Sequence, residues 1–225
     1  MQDGGGVPLR PRERIISTAR DLFRKHGIRG IGVDAIAEAA GTNKMTLYRH
    51  FGSKDDLIVA CLRDVAGEVD EIWKRFEREY ADDPLGELSA WVRVGAECVI
   101  DDGRGCDMAN VAVELAECDH PARHVIEDFK REQRNRLAEL CRKAGIAKAE
   151  LLADTLSLLL EGARVSRQSV GVEGPSAHFI AIGEAVIAAF AGEGRLRKRS
   201  PHRPGEGITI VPSRVRAGRV TVKHA

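Results

Sequence analysis

The chain has 225 residues, of which 43% are hydrophobic and 31% charged, a composition that is typical of globular proteins and excludes a wholly disordered one. No segment approaches the roughly 18 consecutive apolar residues that a membrane helix needs, and the Gly-rich start lacks the apolar core of a signal peptide. The formal net charge is +1, with five cysteines and no CxxC pair, so we expect reduced thiols in a cytoplasmic protein. Scarce aromatic residues and abundant Ala, Leu, Glu and Arg predict an all-α fold.

The charges fall into three blocks along the chain. Residues 1–54 carry 10 Lys and Arg against 5 Asp and Glu, residues 55–192 carry 16 against 27, and residues 193–225 carry 9 against 2. A basic first block suits an anionic polymer, whereas the acidic second block would be repelled by one.

Three short helices are predicted in the first block. The first begins at Pro11 and ends near Gly27, since apolar residues recur between them at helical spacing. The second spans residues 33–40, and a turn at Gly41 separates it from the third, which covers residues 44–50 with Thr42 or Asn43 as its cap. This arrangement predicts a helix-turn-helix, whose second helix enters the major groove of DNA.

The third helix is predicted to be amphipathic. Leu47 and Phe51 lie four residues apart and are expected to pack inward, while donors and an aromatic hydroxyl on the remaining surface suit phosphates and base edges. A solvated helix with ordinary charges is the alternative interpretation. Ser53, followed three residues later by Asp56, predicts the start of a fourth helix.

The segment from Ile15 to Leu62 resembles the DNA-binding domain of the TetR family of bacterial transcriptional regulators. The matching residues are Ala19, Leu22, Phe23, Gly27, Ile36, Ala37, Ala40, Gly41 and the run Thr46-Leu47-Tyr48-x-His50-Phe51-x-Ser53-Lys54-x-x-Leu57. The resemblance implies that Thr46 and Tyr48 touch the DNA backbone or a base edge. It also implies that Lys44 and Lys54 hold phosphates. The candidate DNA-contacting residues are Thr42, Lys44, Met45, Thr46, Tyr48, Arg49, His50 and Lys54.

Helical patterns continue through the second block. They predict helices over residues 53–76, 85–99, 107–116, 121–145, 151–165 and 179–190. We therefore expect a helix-turn-helix domain over residues 10–56, a helical regulatory and dimerisation domain over 57–191, and a basic, disordered tail over 192–225. A basic arm that adds nonspecific DNA affinity is the alternative for the tail.

The second domain resembles the TetR regulatory domain more weakly. The matching residues are Gly105-Cys106, Asn110, Glu114-Leu115 and the stretch 158–163. The resemblance implies a homodimer, formed by the last two long helices, on a palindromic operator in double-stranded DNA, with no membrane partner. It also implies a pocket for a small-molecule effector, for which an apolar or weakly acidic metabolite is the expectation. Candidate pocket residues, for which plain core is the alternative, are Trp73, Phe76, Trp91, Cys98, Met108, Val111, Phe129 and Leu159.

Other chemistries find little support in the sequence. Cys98, Cys106 and Cys118 are expected to be buried, inert thiols, with oxidant sensing as the alternative. His120 and His124 have a spacing that can hold a metal, but no further ligand motif accompanies them, so no metal is expected. No nucleotide-binding or hydrolase motif occurs, so we expect neither a cofactor nor an enzyme.

These features predict a DNA-binding transcriptional regulator, a repressor released from its operator by a small-molecule ligand. The alternative is a DNA-binding regulator without such a ligand, either an activator or an architectural protein.

Overall fold

The computed structural model describes residues 10–101, 105–116 and 119–199, and within these ranges every element is helical. The all-α fold expected from the composition is therefore confirmed. In chain order the elements are α1 (Pro11–Gly30), α2 (Val33–Ala39), α3 (Lys44–Phe51), α4 (Lys54–Glu79), α5 (Pro84–Asp101), α6 (Asp107–Glu114), α7 (Pro121–Lys143), α8 (Ala149–Val170), a 3-10 helix (Pro175–His178) and α9 (Phe179–Arg199).

The first three helices pack around the first turns of α4 in one apolar cluster. Each of the four helices contributes a fully buried side chain, namely Ile15, Ile36, Leu47 and Leu57. Burying one such side chain stabilises a fold by roughly 1.5–3 kcal/mol. This small core holds α2 and α3 at a fixed angle, with the left-handed turn residue Gly41 (φ 61°) between them.

Side-chain caps fix the starts of α3 and α4. Asn43 Oδ1 accepts a hydrogen bond from the Thr46 backbone nitrogen (2.9 Å), and Ser53 Oγ accepts one from the Asp56 backbone nitrogen (3.0 Å). These bonds satisfy donors that would otherwise lack partners in the first helical turn. The cap of α3 is thus Asn43 and not Thr42, and the start predicted at Ser53 is confirmed.

A break in α1 occurs where the sequence predicts the end of this helix. Gly27 has φ 74° and ψ 162°, which are not helical angles, and a short separate turn then runs to Gly30. Glu114 at the end of α6 accepts a hydrogen bond at Oε2 from the Arg29 backbone nitrogen (3.1 Å). The break therefore brings the end of α1 against α6.

The largest apolar cluster holds the second domain together. Buried side chains from α4, α5, α7, α8 and α9 meet there, among them Trp73, Leu88, Leu137, Leu152 and Phe179. This packing defines a helical body behind the helix-turn-helix.

A third cluster joins the body to the helix-turn-helix. It contains Ile28 from the end of α1, Ile58 from α4, Met108 from α6 and Ile126 from α7. Beside it, Arg24 of α1 donates hydrogen bonds from Nε (3.0 Å) and Nη2 (2.9 Å) to the carboxylate of Asp107 in α6. The two domains are thus connected by α4 and by direct contacts between α1 and α6.

The last helix extends further than the sequence indicates. Disorder over residues 192–225 stays a prediction, while α9 continues to Arg199, beyond the end at residue 190 that the helical pattern predicts. The extension has a physical reason, since the first proline after the start of α9 is at position 201, and the Leu and Arg residues before it favour helix. Residues 200–225, which the same prediction covers, lie outside the described residues.

One stretch, Pro175–Gly192, is long and apolar enough to cross a membrane by length and composition, with a mean hydropathy of 1.3. Only 22% of this stretch is buried. Its buried apolar side chains Phe179 and Ile187 belong to the body core. A single helix of this kind is weak evidence for a membrane span.

Candidate nucleic-acid interface and ligand cavity

The side chains on the outward face of α3 are exposed to solvent. Met45 is 82% exposed and Tyr48 38% exposed, and Arg49 and His50 are exposed beside them. Leu47 on the opposite side is fully buried in the domain core. The amphipathic character predicted for this helix is therefore confirmed.

Lys44, at the start of α3, forms an ion pair with Asp34 of α2. The distance between Lys44 Nζ and Asp34 Oδ2 is 2.9 Å, and this hydrogen bond raises the pKa of Lys44 above its ordinary value. Both side chains are exposed, so the pair adds little stability. An ammonium group has three donors, so Lys44 can contact a phosphate while it remains near Asp34.

The remaining predicted contacts flank this exposed face. Thr42 is half-buried in the turn before α3, where its backbone nitrogen donates to the Ala37 oxygen (2.9 Å). Thr46 is half-buried on α3, and Lys54 is half-buried as the first residue of α4. Lys54 therefore lies at a helix N-terminus, where backbone N–H groups and the helix dipole favour an anion.

Two arginines of α1 support this surface, and they are absent from the residues predicted from sequence. Arg14 Nε donates to the Ala40 oxygen (2.8 Å), which ties α1 to the end of α2. The Arg12 guanidinium lies 5.3 Å from the centre of the Phe51 ring at the end of α3. Local sequence patterns carry no signal for either contact, because each joins residues far apart in the chain.

A cavity of about 250 Å³ lies between α4, α5, α7 and α8. Large apolar side chains line it, and we call them its apolar wall, namely Ile72, Trp73, Phe76, Trp91, Phe129 and Leu137. Trp73 is fixed there because its indole Nε1 donates a 2.6 Å hydrogen bond to Gln133 Oε1. A mostly apolar cavity with a few placed polar groups is the usual form of a small-molecule site.

Charged side chains from α7 and α8 also line the cavity, and we call them its polar wall. Lys130, Arg134, Glu161 and Arg164 line the cavity there. Arg134 donates to Asp154 from Nε (2.7 Å) and Nη2 (3.2 Å), and hydrogen bonding to this guanidinium lowers the pKa of the Asp154 carboxyl. This wall can offer hydrogen-bond donors to a ligand.

Comparison with known proteins shows what the helix-turn-helix domain and the fold are similar to. The family model described as bacterial regulatory proteins, tetR family, matches residues 15–61. A TetR-family transcriptional regulator from Streptomyces coelicolor superposes with a TM-score of 0.75 at 25% identity, covering 80% of this chain and 96% of that one. Residues 15–61 of this chain thus match the DNA-binding domain of the TetR family. The family resemblance seen in the sequence is therefore confirmed.

Two curated relatives resemble this chain over part of their length. The HTH-type transcriptional repressor AcnR of Corynebacterium glutamicum is 34% identical over 68 residues, which cover 30% of this chain and 36% of AcnR. The HTH-type transcriptional regulator RutR of Escherichia coli is 33% identical over 90 residues, which cover 38% of this chain and 40% of RutR. The matches thus span less than half of either relative.

Five of the eight predicted pocket residues line the cavity, and three do not. The cavity is lined by Trp73, Phe76, Trp91, Cys98 and Phe129. Ligand binding by these five remains a prediction.

The other three predicted pocket residues do not line this cavity, and their role in ligand binding stays a prediction. Met108 is fully buried in the cluster that joins the domains. Val111 is buried in the same cluster, and Leu159 lines a depression between α8 and α9. All three are apolar residues on inward helix faces, and sequence periodicity does not distinguish the side of a cavity from plain core.

The cysteines also differ from the sequence prediction. Cys98 is exposed and Cys106 half-buried, so the expectation that they are buried is wrong, while Cys118 lies outside the described residues. Burial instead raises the pKa of Cys61 and of Cys141 to about 12, which keeps these two thiols protonated and unreactive at neutral pH.

His120 has a structural role. Its Nδ1 accepts a hydrogen bond from the Ala122 backbone nitrogen (3.1 Å) and caps α7, while Nε2 lies 3.4 Å from Asp55 Oδ1. His124 is exposed one turn further along α7. The ring of His120 is therefore engaged at both nitrogens within the protein.

Proposed function

We propose that this chain is a sequence-specific DNA-binding transcriptional regulator of the TetR family, a repressor that a small-molecule effector releases from its operator in the bacterial cytoplasm. The observation that carries the proposal is the exposed face of α3, from which Tyr48, Arg49 and His50 project on a rigid helix-turn-helix. An excess of five positive charges within residues 1–54 favours approach to DNA phosphates.

The proposed assembly is a homodimer through α8 and α9. Leu151, Leu158 and Val165 are 54%, 73% and 59% exposed, and their spacing of seven residues places them in one line along α8. Ile180 and Ile182 are exposed on α9. Such a face on a monomer is unusual, and a two-fold partner that buries it would also match a palindromic operator.

Replacing Val165 with Glu is expected to convert the dimer to a monomer. In a two-fold interface the substitution places two like charges in an apolar contact, so we expect the dimer dissociation constant to rise by about 100-fold. Sedimentation equilibrium measures it directly. Val113→Glu is the matched control, because Val113 is 84% exposed on α6, away from this face. Equal dissociation constants for the two variants would contradict the assignment of the interface.

The proposed release mechanism runs through α4. Its C-terminal half contributes Trp73 and Phe76 to the cavity, and its first turns contribute Leu57 to the helix-turn-helix core. An effector that fits the cavity better after α4 shifts would change the separation of the two α3 helices in the dimer. The effector must bind the released state more tightly, and such couplings are typically about 1–3 kcal/mol.

Selection from a pool of random duplexes, followed by fluorescence anisotropy, tests the proposed DNA binding. We expect enrichment of one palindromic sequence and salt-sensitive binding to it. If no sequence is enriched and scrambled duplexes bind equally well, sequence-specific regulation is contradicted.

Tyr48→Phe is expected to weaken binding to the selected duplex by about tenfold. The variant removes the hydroxyl that would donate to a phosphate or base edge, and it keeps the ring. The only other tyrosine of the chain, Tyr80 in the body, supplies the control Tyr80→Phe. Anisotropy titrations should show wild-type affinity for Tyr80→Phe, and wild-type affinity for Tyr48→Phe would remove Tyr48 from the interface.

A further inference from the structure

Positive charge outweighs negative charge on the polar wall of the cavity. Three cations line it, Lys130, Arg134 and Arg164. Arg134 is matched by Asp154 in a two-bond contact. The other two cations share one carboxylate, that of Glu161. Among the described residues, the three cations of this wall thus form ion pairs with only two carboxylates, those of Asp154 and Glu161.

Of the two cations that contact Glu161, Arg164 makes the weaker hydrogen bond. Its Nη1 lies 3.4 Å from Glu161 Oε1, and the same oxygen accepts a close hydrogen bond from Lys130. The Arg164 side chain is only 18% exposed, so water compensates its charge poorly. A guanidinium in this setting favours an anion that can form two parallel hydrogen bonds with it.

The apolar wall determines which kind of ligand body the cavity can hold. Trp73, Phe76 and Leu137 are buried, and the hydrogen bond from Trp73 to Gln133 holds the indole in place. A volume of about 250 Å³ suits a small molecule with a compact apolar body. An organic cation would be repelled by the polar wall, and a polyanion would find too few donors.

We propose that the cavity binds a small amphipathic carboxylate, whose acid group lies against Arg164 and Lys130 and whose apolar body lies on Trp73 and Phe76. The binding stands on the cavity itself, and its regulatory consequence rests on the proposed function. In this arrangement the ligand competes with Glu161 for the two cations. The structure thus holds an internal carboxylate where the ligand carboxylate is to bind.

Matched pairs of acids and primary amides test the proposal on the full-length protein. Benzoate and benzamide, phenylacetate and phenylacetamide, indole-3-acetate and indole-3-acetamide, and octanoate and octanamide differ in charge but hardly in shape. Isothermal titration calorimetry should show at least one acid that binds about tenfold more tightly than its amide. Equal binding within every pair, or no binding by any of the four acids, overturns the proposal.

Three variants locate the acid group. Arg164→Gln is expected to weaken the binding of the tightest acid by about tenfold and to leave its amide unchanged. Glu161→Gln is expected to tighten the acid by several-fold, because it removes the internal competitor. Arg167→Gln, on the same helix but not lining the cavity, is the control, and circular dichroism confirms that each variant is folded. An acid affinity that is unchanged in both Arg164→Gln and Glu161→Gln overturns the assigned position.

DNA binding is measured separately, so that the two proposals fail independently. If the selected duplex binds and no acid does, the ligand class is wrong and the regulator remains. If an acid binds through Arg164 but leaves the affinity for the duplex unchanged, the cavity assignment holds and release by this ligand is contradicted.

Discussion

Reversing the charge of Arg49 is expected to weaken binding to the selected operator duplex by about 100-fold. Arg49 is exposed in the last turn of α3, on the face that would meet DNA. The variant Arg49→Glu removes one favourable contact with a phosphate and adds one repulsion, each worth about tenfold in affinity. Anisotropy titrations over a range of salt concentrations should also show a shallower salt dependence, since fewer counterions are released.

Arg78→Glu is the matched control for this effect. Arg78 is likewise an exposed arginine in the last turn of a helix, but it belongs to the end of α4, beyond the helix-turn-helix. Both variants change the net charge of the protein by the same amount, so a general electrostatic effect would weaken binding equally in the two. A loss confined to Arg49→Glu assigns the contact to α3, and equal losses would contradict that assignment.

The helix-turn-helix was predictable because its determinants are local. Each helix boundary there depends on residues that are close in the chain. These boundaries are the break at Gly27, the turn at Gly41 and the side-chain caps at the starts of α3 and α4. The inward positions Leu47 and Phe51 follow from helical spacing alone. For such elements the sequence predicts both the bounds of the helices and the face that stays exposed.

The cavity was less predictable because its walls come from helices that are distant in the chain. Lys130, Gln133 and Arg134 lie on the same face of α7 as Leu137, and these polar residues on an otherwise inward face were the available signal. Nothing in the local sequence indicates that Arg164 of α8 meets them. Met108 and Val111 are likewise apolar residues at inward positions, but they belong to the cluster that joins the two domains.

The connection between the cavity and the DNA-binding surface depends on two structural links. One is α4, which takes part in both domain cores. The other is the contact of α1 with α6. It consists of the ion pair between Arg24 and Asp107 and of the packing of Glu114 against the break at Gly27. A shift of α4 alone would strain the second link, so both must move if the proposed effector is to reorient the helix-turn-helix.

Replacing Gly27 with Ala is expected to lower the free energy of unfolding by roughly 2–4 kcal/mol. The angles φ 74° and ψ 162° lie in a region that side-chain-bearing residues rarely adopt. In addition, a Cβ there would lie 2.7 Å from Glu114 Oε2 and 2.8 Å from Oε1, so the carboxylate must move away from the Arg29 backbone nitrogen. Urea denaturation followed by circular dichroism measures the change.

Gly67→Ala supplies the control with the opposite expected sign. Gly67 is exposed within α4, and a Cβ built there meets nothing within 4 Å, so this variant should gain about 0.5–1 kcal/mol from reduced chain entropy. Comparing Gly27→Ala with and without Glu114→Ala then separates the steric contact from the backbone strain. If Gly27→Ala were as well tolerated as Gly67→Ala, the break in α1 would not depend on glycine. The contact between α1 and α6 would then be too loose to transmit a shift of the body to the DNA-binding surface.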